Sequence, residues 1–145
     1  MVQIIDEIEI ATPGPGLMDI TREVAAWLHL QGIEAGLLTL LIQHTSASLT
    51  IQENADPDVL LDLQNAMAGL GPHGGAERYM HHAEGRDDMA AHIRTMLSGV
   101  NLAIPVRYGR MMLGTWQGLY LWEHRDRGRH RRIALHLAGE TATER

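Results

Sequence analysis

Apolar residues recur at every second position in five segments of this chain, which lie at residues 2–10, 47–52, 102–106, 119–121 and 133–137. Such alternation is typical of β-strands that bury one face and expose the other to water. In the second segment, Ala47 and Leu49 point to the core, whereas Ser46 and Ser48 belong to a wet or functional face. The near-continuous apolar run at residues 35–43 instead predicts a strand buried on both faces.

Three further segments carry apolar residues at the spacing of amphipathic helices. Asp19 is the predicted cap of the first helix, and Asp56 followed by Pro57 predicts the start of the second, because proline is favoured at the first helical position. Asp87 or Asp88 can cap a short third helix. Glycines that end these helices are Gly32, then Gly69 with Gly71, and Gly99.

The order of these elements is mixed, with strands clustered late in the chain, which favours an α+β fold over a doubly wound sheet. A length of 145 residues with 45% hydrophobic content predicts one domain with a real core. We place this domain at residues 1–140 and a C-terminal tail at residues 141–145.

Composition restricts the classes of function. A formal net charge of -6 argues against wholesale nucleic-acid binding, which needs a cationic surface. No apolar run has the length of a bilayer crossing, and the N-terminus is acidic where a secretory signal would be basic, so we expect a soluble cytoplasmic protein. All 12 basic residues are arginines, which excludes a Schiff-base lysine.

Two polar segments hold candidate metal ligands. The chain has 9 histidines and no cysteine, so any metal must be held by imidazole or carboxylate groups, a donor set that suits a zinc-like ion. His81 and Glu84 lie in a loop-like stretch, and Asp88 precedes His92 by four residues, which puts both on one helical face. A solvated loop without function is the alternative.

The other polar segment, residues 44–54, begins at a strand junction. His44 is followed by the hydroxyl groups of Thr45, Ser46 and Ser48. A lone histidine at a strand end is more often a hydrogen-bonded structural residue than a ligand. A serine nucleophile served by His44 is disfavoured, because no glycine-flanked nucleophile turn surrounds Ser46 or Ser48.

Candidate substrate contacts occur later in the chain. Trp116 and Gln117 stand between two glycines, where backbone can approach a ligand, although a packed tryptophan in a glycine-rich strand corner explains the pattern somewhat better. Glu123 is either a general acid or base or an exposed strand-end charge. Residues 124–132, which include Arg125, are rich in arginine and suit a phosphate group or a charged turn that protects a sheet edge.

Three stretches carry a family resemblance: HTSASLTIQENADPDV at residues 44–59, HHAEGRDDMAAHI at residues 81–93 and GTWQGLYLWEHRD at residues 114–126. Together, and in this order, they resemble the YjbQ-like family, whose members are often described as secondary thiamine-phosphate synthase-type proteins. The resemblance implies an α+β subunit with a β-sandwich-like core, assembled as a homotrimer, with a metal-bearing pocket near the subunit boundaries.

The resemblance also implies roles for particular residues. His44, His81 and His92 match the family's histidines and are the expected ligands of a divalent ion, with zinc the expected element. Glu84 and Glu123 are the expected proton carriers. Expected substrate contacts are Trp116, Gln117, Ser46 and Arg125.

The activity attached to the family joins a hydroxymethylpyrimidine pyrophosphate to a thiazole phosphate and gives thiamine phosphate. Our leading hypothesis is a divalent-metal-dependent enzyme that acts on a phosphorylated small molecule. A metal-dependent hydrolase and a non-enzymatic trimer that binds a metal or metabolite are the alternatives. The residues alone do not choose between them.

Overall fold

Two antiparallel β-sheets form the framework of the protein, whose computed structural model describes residues 1–142. A five-stranded sheet has the order β1-β8-β3-β5-β6, and a three-stranded sheet has the order β2-β7-β4. The strands are β1 (Val2–Ala11), β2 (Gly16–Asp19), β3 (Ile33–Ile42), β4 (Ala47–Glu53), β5 (Asn101–Arg107), β6 (Arg110–Met111), β7 (Gln117–Glu123) and β8 (His130–Thr141).

Three helices complete the fold, namely α1 (Thr21–Leu30), α2 (Pro57–Leu70) and α3 (Asp88–Ser98). The predicted start of α2 is confirmed, since Asp56 accepts a hydrogen bond from the Asp58 amide and Pro57 follows it. The helix continues through Gly69 and ends with Gly71 as its C-cap. The predicted α+β class with three helices is therefore confirmed.

The start of α1 differs from the prediction. Asp19 belongs to β2, where it pairs with Tyr120, and Ile20 takes the cap position of α1. The Asp19 carboxylate still accepts hydrogen bonds from the amide and the hydroxyl of Thr21, at 2.9 and 2.6 Å. The four residues of β2 were missed because they follow a glycine- and proline-rich turn directly.

The core lies between the two sheets. The burial of β3 differs from the prediction on one of its faces. Leu38 and Leu40 are fully buried, as predicted, but Leu37 and Leu41 on the opposite face of the strand are 45% and 44% exposed. The strand is thus buried on one face only within a single chain. Ile5 of β1, which lies across β8 from β3, is on the same outer face and is 80% exposed.

Hydrogen bonds join helix α3 to β4 and to Thr45, which lies two residues before that strand. Thr95 donates to the Thr45 carbonyl at 3.0 Å, and Ser98 lies 2.5 Å from the Ser48 hydroxyl. Ser48 is therefore fully buried beneath α3, although the alternation placed it on a wet face. This packing brings the start of α3 close to the C-terminal end of β7, where the candidate site lies.

Strand β8 continues to Thr141, and the rest of the predicted tail, residues 143–145, lies outside the described residues. Within residues 1–142, no helix has both the length and the apolar character needed to cross a membrane.

Candidate metal centre

Two imidazoles and one carboxylate converge at the start of α3. The Nε2 atom of His81 lies 2.6 Å from Oδ2 of Asp88, and the Nε2 atom of His92 lies 3.3 Å from the same oxygen. One potential ligand atom from each of the three residues lies within 4.8 Å of the other two. Among residues 1–142, this is the one group of such side chains with this spacing.

Local structure explains the convergence. Asp88 is the first residue of α3 and His92 follows one turn later, so both side chains share a helical face, as the spacing predicted. His81 comes from the irregular segment that precedes α3. Gly85 allows the chain to turn there, because its φ of 107° lies in a region that other residues rarely adopt.

The three side chains differ in their exposure. The Asp88 side chain is 5% exposed, whereas the side chains of His81 and His92 are 46% and 35% exposed. The Asp88 carboxylate is therefore the buried part of the cluster, and the two imidazoles are its solvent-exposed part. Such a site is open on one side, as a catalytic ion requires.

Asp88 is held in its charged form. Burial opposes its ionisation, but the hydrogen bond with His81 and the charges of Arg125, His92 and His81 outweigh burial and lower the pKa of Asp88 below its ordinary value. An ionised carboxylate is the form that binds a cation. The spacing along the chain predicted that Asp88 could reach the same ion as His92. In the structure, Asp88 contacts both histidines.

The Arg125 side chain is hydrogen-bonded within the protein and is largely shielded from solvent. Its guanidinium donates to Oδ2 of Asp87 at 2.8 Å, to Oδ1 of Asp88 at 2.5 Å and to the Glu84 carbonyl at 3.0 Å. The side chain is only 13% exposed. These contacts leave Arg125 little capacity to hold the phosphate group that the sequence analysis expected it to bind.

Two other arginines line a cavity beside Arg125. Arg127 and Arg129 face a cavity of about 360 Å³, which Glu84 and Asp126 also line. Within the described part of the chain, neither arginine has a carboxylate partner within 4.0 Å. These two arginines therefore line the same cavity as Arg125 but, among residues 1–142, lack ion pairs like those of Arg125.

His44 lies near the cluster but outside the group of three. Its Nε2 atom accepts a hydrogen bond from the Arg132 amide at 2.8 Å. His44 and His92 both line a second cavity of about 360 Å³. Burial, together with the positive charges of Arg131 and Arg132, lowers the pKa of His44. The ligand role expected for His44 stays a prediction.

Glu123 is buried in an ion pair. Both of its carboxylate oxygens accept hydrogen bonds from Arg131, and one also accepts from the Thr12 hydroxyl at 2.8 Å. Burial opposes its ionisation, but Arg131 and Thr12 outweigh burial and lower the pKa of Glu123. A carboxylate saturated in this way suits a structural role better than the proton transfer expected of it.

Of the other expected substrate contacts, Trp116 and Gln117 lie apart from the cluster. Trp116 is 65% exposed, and Gln117 begins β7, whereas Glu123 ends that strand next to the site. Six residue steps along a strand span about 20 Å. Ser46 lies at the near end, where its carbonyl accepts a hydrogen bond from the His124 amide at 3.2 Å. Within one chain, Trp116 and Gln117 do not join the cluster.

A buried network of hydrogen-bonded polar side chains lies beneath α3 and was not predicted from the sequence. The Nε2 atom of His124 lies 2.7 Å from the Ser48 hydroxyl, which in turn contacts Ser98. His124 is 1% exposed, and its Nδ1 atom has no hydrogen-bond partner among residues 1–142. Burial and the charges of Arg94 and Arg131 lower the pKa of His124 to about 3, so the ring is neutral.

Comparison with known proteins identifies relatives along almost the whole chain. A family model described as UPF0047 protein YjbQ-like matches residues 6–140. A UPF0047 protein from Synechocystis is 50% identical over 131 residues, which cover 90% of this chain and 88% of that protein. YjbQ from Escherichia coli is 48% identical over 134 residues, which cover 92% and 96% of the two chains.

Solved structures share the fold. The crystal structure of a conserved hypothetical protein from Thermus thermophilus matches with a TM-score of 0.79 and 36% identity, and the match covers 90% of this chain and 97% of that one. The crystal structure of an uncharacterized conserved protein of the YjbQ/UPF0047 family from Clostridium acetobutylicum gives a TM-score of 0.81 at 32% identity, with coverages of 92% and 99%.

Proposed function

Given that the chain belongs to the family of UPF0047 YjbQ-like proteins, we propose that it is a divalent-metal-dependent enzyme that acts on a phosphorylated small molecule. The observation that carries this proposal is the convergence of His81, Asp88 and His92 on one point at the protein surface. Two imidazoles and one carboxylate form a donor set that suits zinc and similar borderline ions.

The donor set fits such an ion in charge as well as in type. Asp88 supplies one negative charge, and both imidazoles reach solvent, so an ion held there would keep a position for a further ligand. A divalent ion would supply Lewis-acid stabilisation of negative charge on a phosphoryl oxygen.

In this proposal, the arginine-lined cavity binds the phosphate group of the substrate. Arg127 and Arg129 face that cavity without a carboxylate partner among residues 1–142, and guanidinium groups match the geometry of phosphate oxygens. Glu84, Asp87 and Asp126 line the same cavity, and of these we assign the proton transfer to Glu84, because Asp87 is already paired with Arg125 and the family resemblance implies this role for Glu84. Glu123 is assigned to structural support.

Two reaction types are compatible with these roles. One is the transfer that gives thiamine phosphate, in which Arg127 and Arg129 would hold the departing pyrophosphate. The other is hydrolysis of a phosphoester, with the same arginines on the phosphate. The competing possibility is a protein that binds a metal or metabolite without turnover.

Self-association is part of the proposal. The outer face of the five-stranded sheet exposes Ile5, Leu37 and Leu41, and two of these, Ile5 and Leu41, line a depression of about 260 Å³. An apolar sheet face of this kind commonly marks an interface between proteins. We propose that a second copy of this chain covers it, with the trimer as the expected assembly.

Metal content and turnover test the proposal together. The protein would be purified without chelator or metal-charged resin, and its metal content measured by elemental analysis. It would then be incubated with the pyrimidine and thiazole phosphates and with a panel of phosphoesters. We expect close to one zinc-like ion per chain, and turnover in one of the two sets. Bound metal with no turnover in either set would favour the binding protein, and absence of metal would contradict the proposal.

A further inference from the structure

Asp88 uses its two carboxylate oxygens for different purposes. Oδ2 faces the imidazoles of His81 and His92, whereas Oδ1 accepts a hydrogen bond from Nη1 of Arg125 at 2.5 Å. One oxygen therefore faces the two candidate histidine ligands, whereas the other is held by Arg125. These contacts on the two oxygens fix the rotation of the Asp88 carboxylate about its Cβ–Cγ bond.

The guanidinium that holds Oδ1 is itself held on its other nitrogens. Nε of Arg125 donates to Asp87 at 2.8 Å, and Nη2 donates to the Glu84 carbonyl at 3.0 Å. The backbone amide of Arg125 donates to Glu123 at 3.2 Å, which ties it to the end of β7. The next amide, of Asp126, also donates to Asp87 at 3.0 Å. Arg125 thus joins the segment before α3 to a rigid strand end.

We infer that Arg125 is a positioning residue that fixes Asp88 in the orientation needed to bind the divalent ion. The inference rests on the proposed function, since it assigns Arg125 to the same site. It also replaces the phosphate-binding role expected of Arg125 from the sequence. Partners of this kind commonly change metal affinity about 10- to 100-fold when they are removed.

The charge of Arg125 and its hydrogen bond to Asp88 have opposite effects on the affinity for a metal ion. A guanidinium next to the site repels a cation, so removal of its charge alone would tighten metal binding. Loss of the bridge to Oδ1 would free the carboxylate to rotate and would weaken metal binding. The sign of the change in affinity therefore separates the two effects.

The test is calorimetric titration of ZnCl₂ into full-length, chelator-treated protein. Arg125→Met removes both charge and bridge, and Arg125→Lys keeps the charge but cannot bridge Asp87, Asp88 and a carbonyl with one ammonium. The matched control is Arg86→Met, which removes the same charge two residues before Asp88 in the chain, from an exposed arginine that pairs with Glu77. Circular dichroism would establish that each variant is folded.

We expect the Kd of zinc to rise about 10- to 100-fold for Arg125→Met, less for Arg125→Lys, and little for Arg86→Met. With Co²⁺ in place of zinc, the visible absorption bands should shift in both Arg125 variants, because the ligand geometry changes. If Arg125→Met does not fold, the Arg125→Lys result decides. Wild-type affinity retained or exceeded by the folded Arg125 variants would overturn the inference alone, and wild-type protein that binds no zinc would overturn the proposed function with it.

Discussion

The Nε2 atom of His81 lies 2.6 Å from Oδ2 of Asp88, so a loop residue and a buried helix residue meet directly. The second imidazole, from His92, approaches the same oxygen at 3.3 Å. Asp88 therefore organises both histidines through a single oxygen. An ion that enters this site would meet ligands already gathered, which lowers the cost of ordering them.

Adjacent histidines offer a direct comparison of ligand and non-ligand positions. His81 belongs to the cluster, whereas His82 contacts the Met80 carbonyl through its Nδ1 atom. We expect His81→Gln to weaken zinc binding at least about 100-fold, because one of three protein ligands is lost. His82→Gln should bind zinc as the wild type does. Equal affinities of the two variants, measured by competition with a chromophoric chelator, would contradict the proposed ligand set.

The buried ion pair between Glu123 and Arg131 should contribute strongly to folding. Glu123→Gln leaves Arg131 buried without its counter-charge, which typically costs about 3–5 kcal/mol of unfolding free energy. Urea denaturation would measure this loss. Glu77→Gln is the control, since it removes an exposed partner of Arg86 and should change stability much less.

The same pair predicts a dependence on pH. The pKa of Glu123 is lower in the folded protein than its ordinary value of 4.5. Its contribution to stability is therefore present above about pH 4.5 and is lost as the pH falls through the folded-state pKa. The difference in unfolding free energy between wild type and Glu123→Gln should shrink as the solution becomes more acidic, and a constant difference would argue against the ion pair.

His124 predicts a second pH dependence, at higher pH. Its pKa of about 3 in the folded protein lies below the ordinary value of 6.5, so the unfolded chain binds a proton more readily. Stability from the neutral ring is present above about pH 6.5 and is lost as the pH falls toward 3, by up to about 1.4 kcal/mol per pH unit. Arg94, Glu123 and Arg131 are the charged groups that act on this ring.

His124→Gln tests that expectation, because glutamine can still bond to Ser48 but does not titrate. Urea denaturation between pH 7 and pH 5 should give a shallower loss of stability for His124→Gln than for wild type. His82→Gln, at an exposed position, controls for the removal of a histidine. Parallel curves for wild type and His124→Gln would show that the buried ring contributes nothing to the acid sensitivity.

The outer sheet face predicts the assembly state. Ile5→Glu with Leu41→Glu would bury two carboxylates in the proposed interface, at a cost that separates the subunits. Light scattering coupled to size exclusion should give the monomer mass for this double variant and a multiple of it for the wild type. Leu61→Glu, on an exposed position of α2, is the control. An unchanged assembly in the double variant would place the interface elsewhere.

Local features of the fold could be predicted from the sequence. The spacing of Asp88 and His92 put both on one face of a helix, and Asp56 with Pro57 marked the start of α2 correctly. The strand predicted at residues 35–43 corresponds to β3 (Ile33–Ile42), but its burial was overestimated, because hydrophobicity alone does not distinguish an apolar outer face from a core face.

Contacts between distant residues could not be predicted in this way. Arg125 and Asp88 are separated by 37 residues, and only the packing of α3 near the end of β7 brings them together. The same packing buries Ser48 beside His124, which alternation had placed toward water. Spacing along the chain carries no information on which helix covers which strand, so these roles became visible only in the structure.

Anomalous diffraction at the zinc absorption edge, from crystals of wild-type protein grown with ZnCl₂, tests the central claim most directly. We predict one strong peak per chain within bonding distance of His81, Asp88 and His92. The same map decides whether His44 of any copy in the assembly also reaches the ion. A peak at other side chains, or none at this cluster at full zinc saturation, would contradict the proposed metal centre.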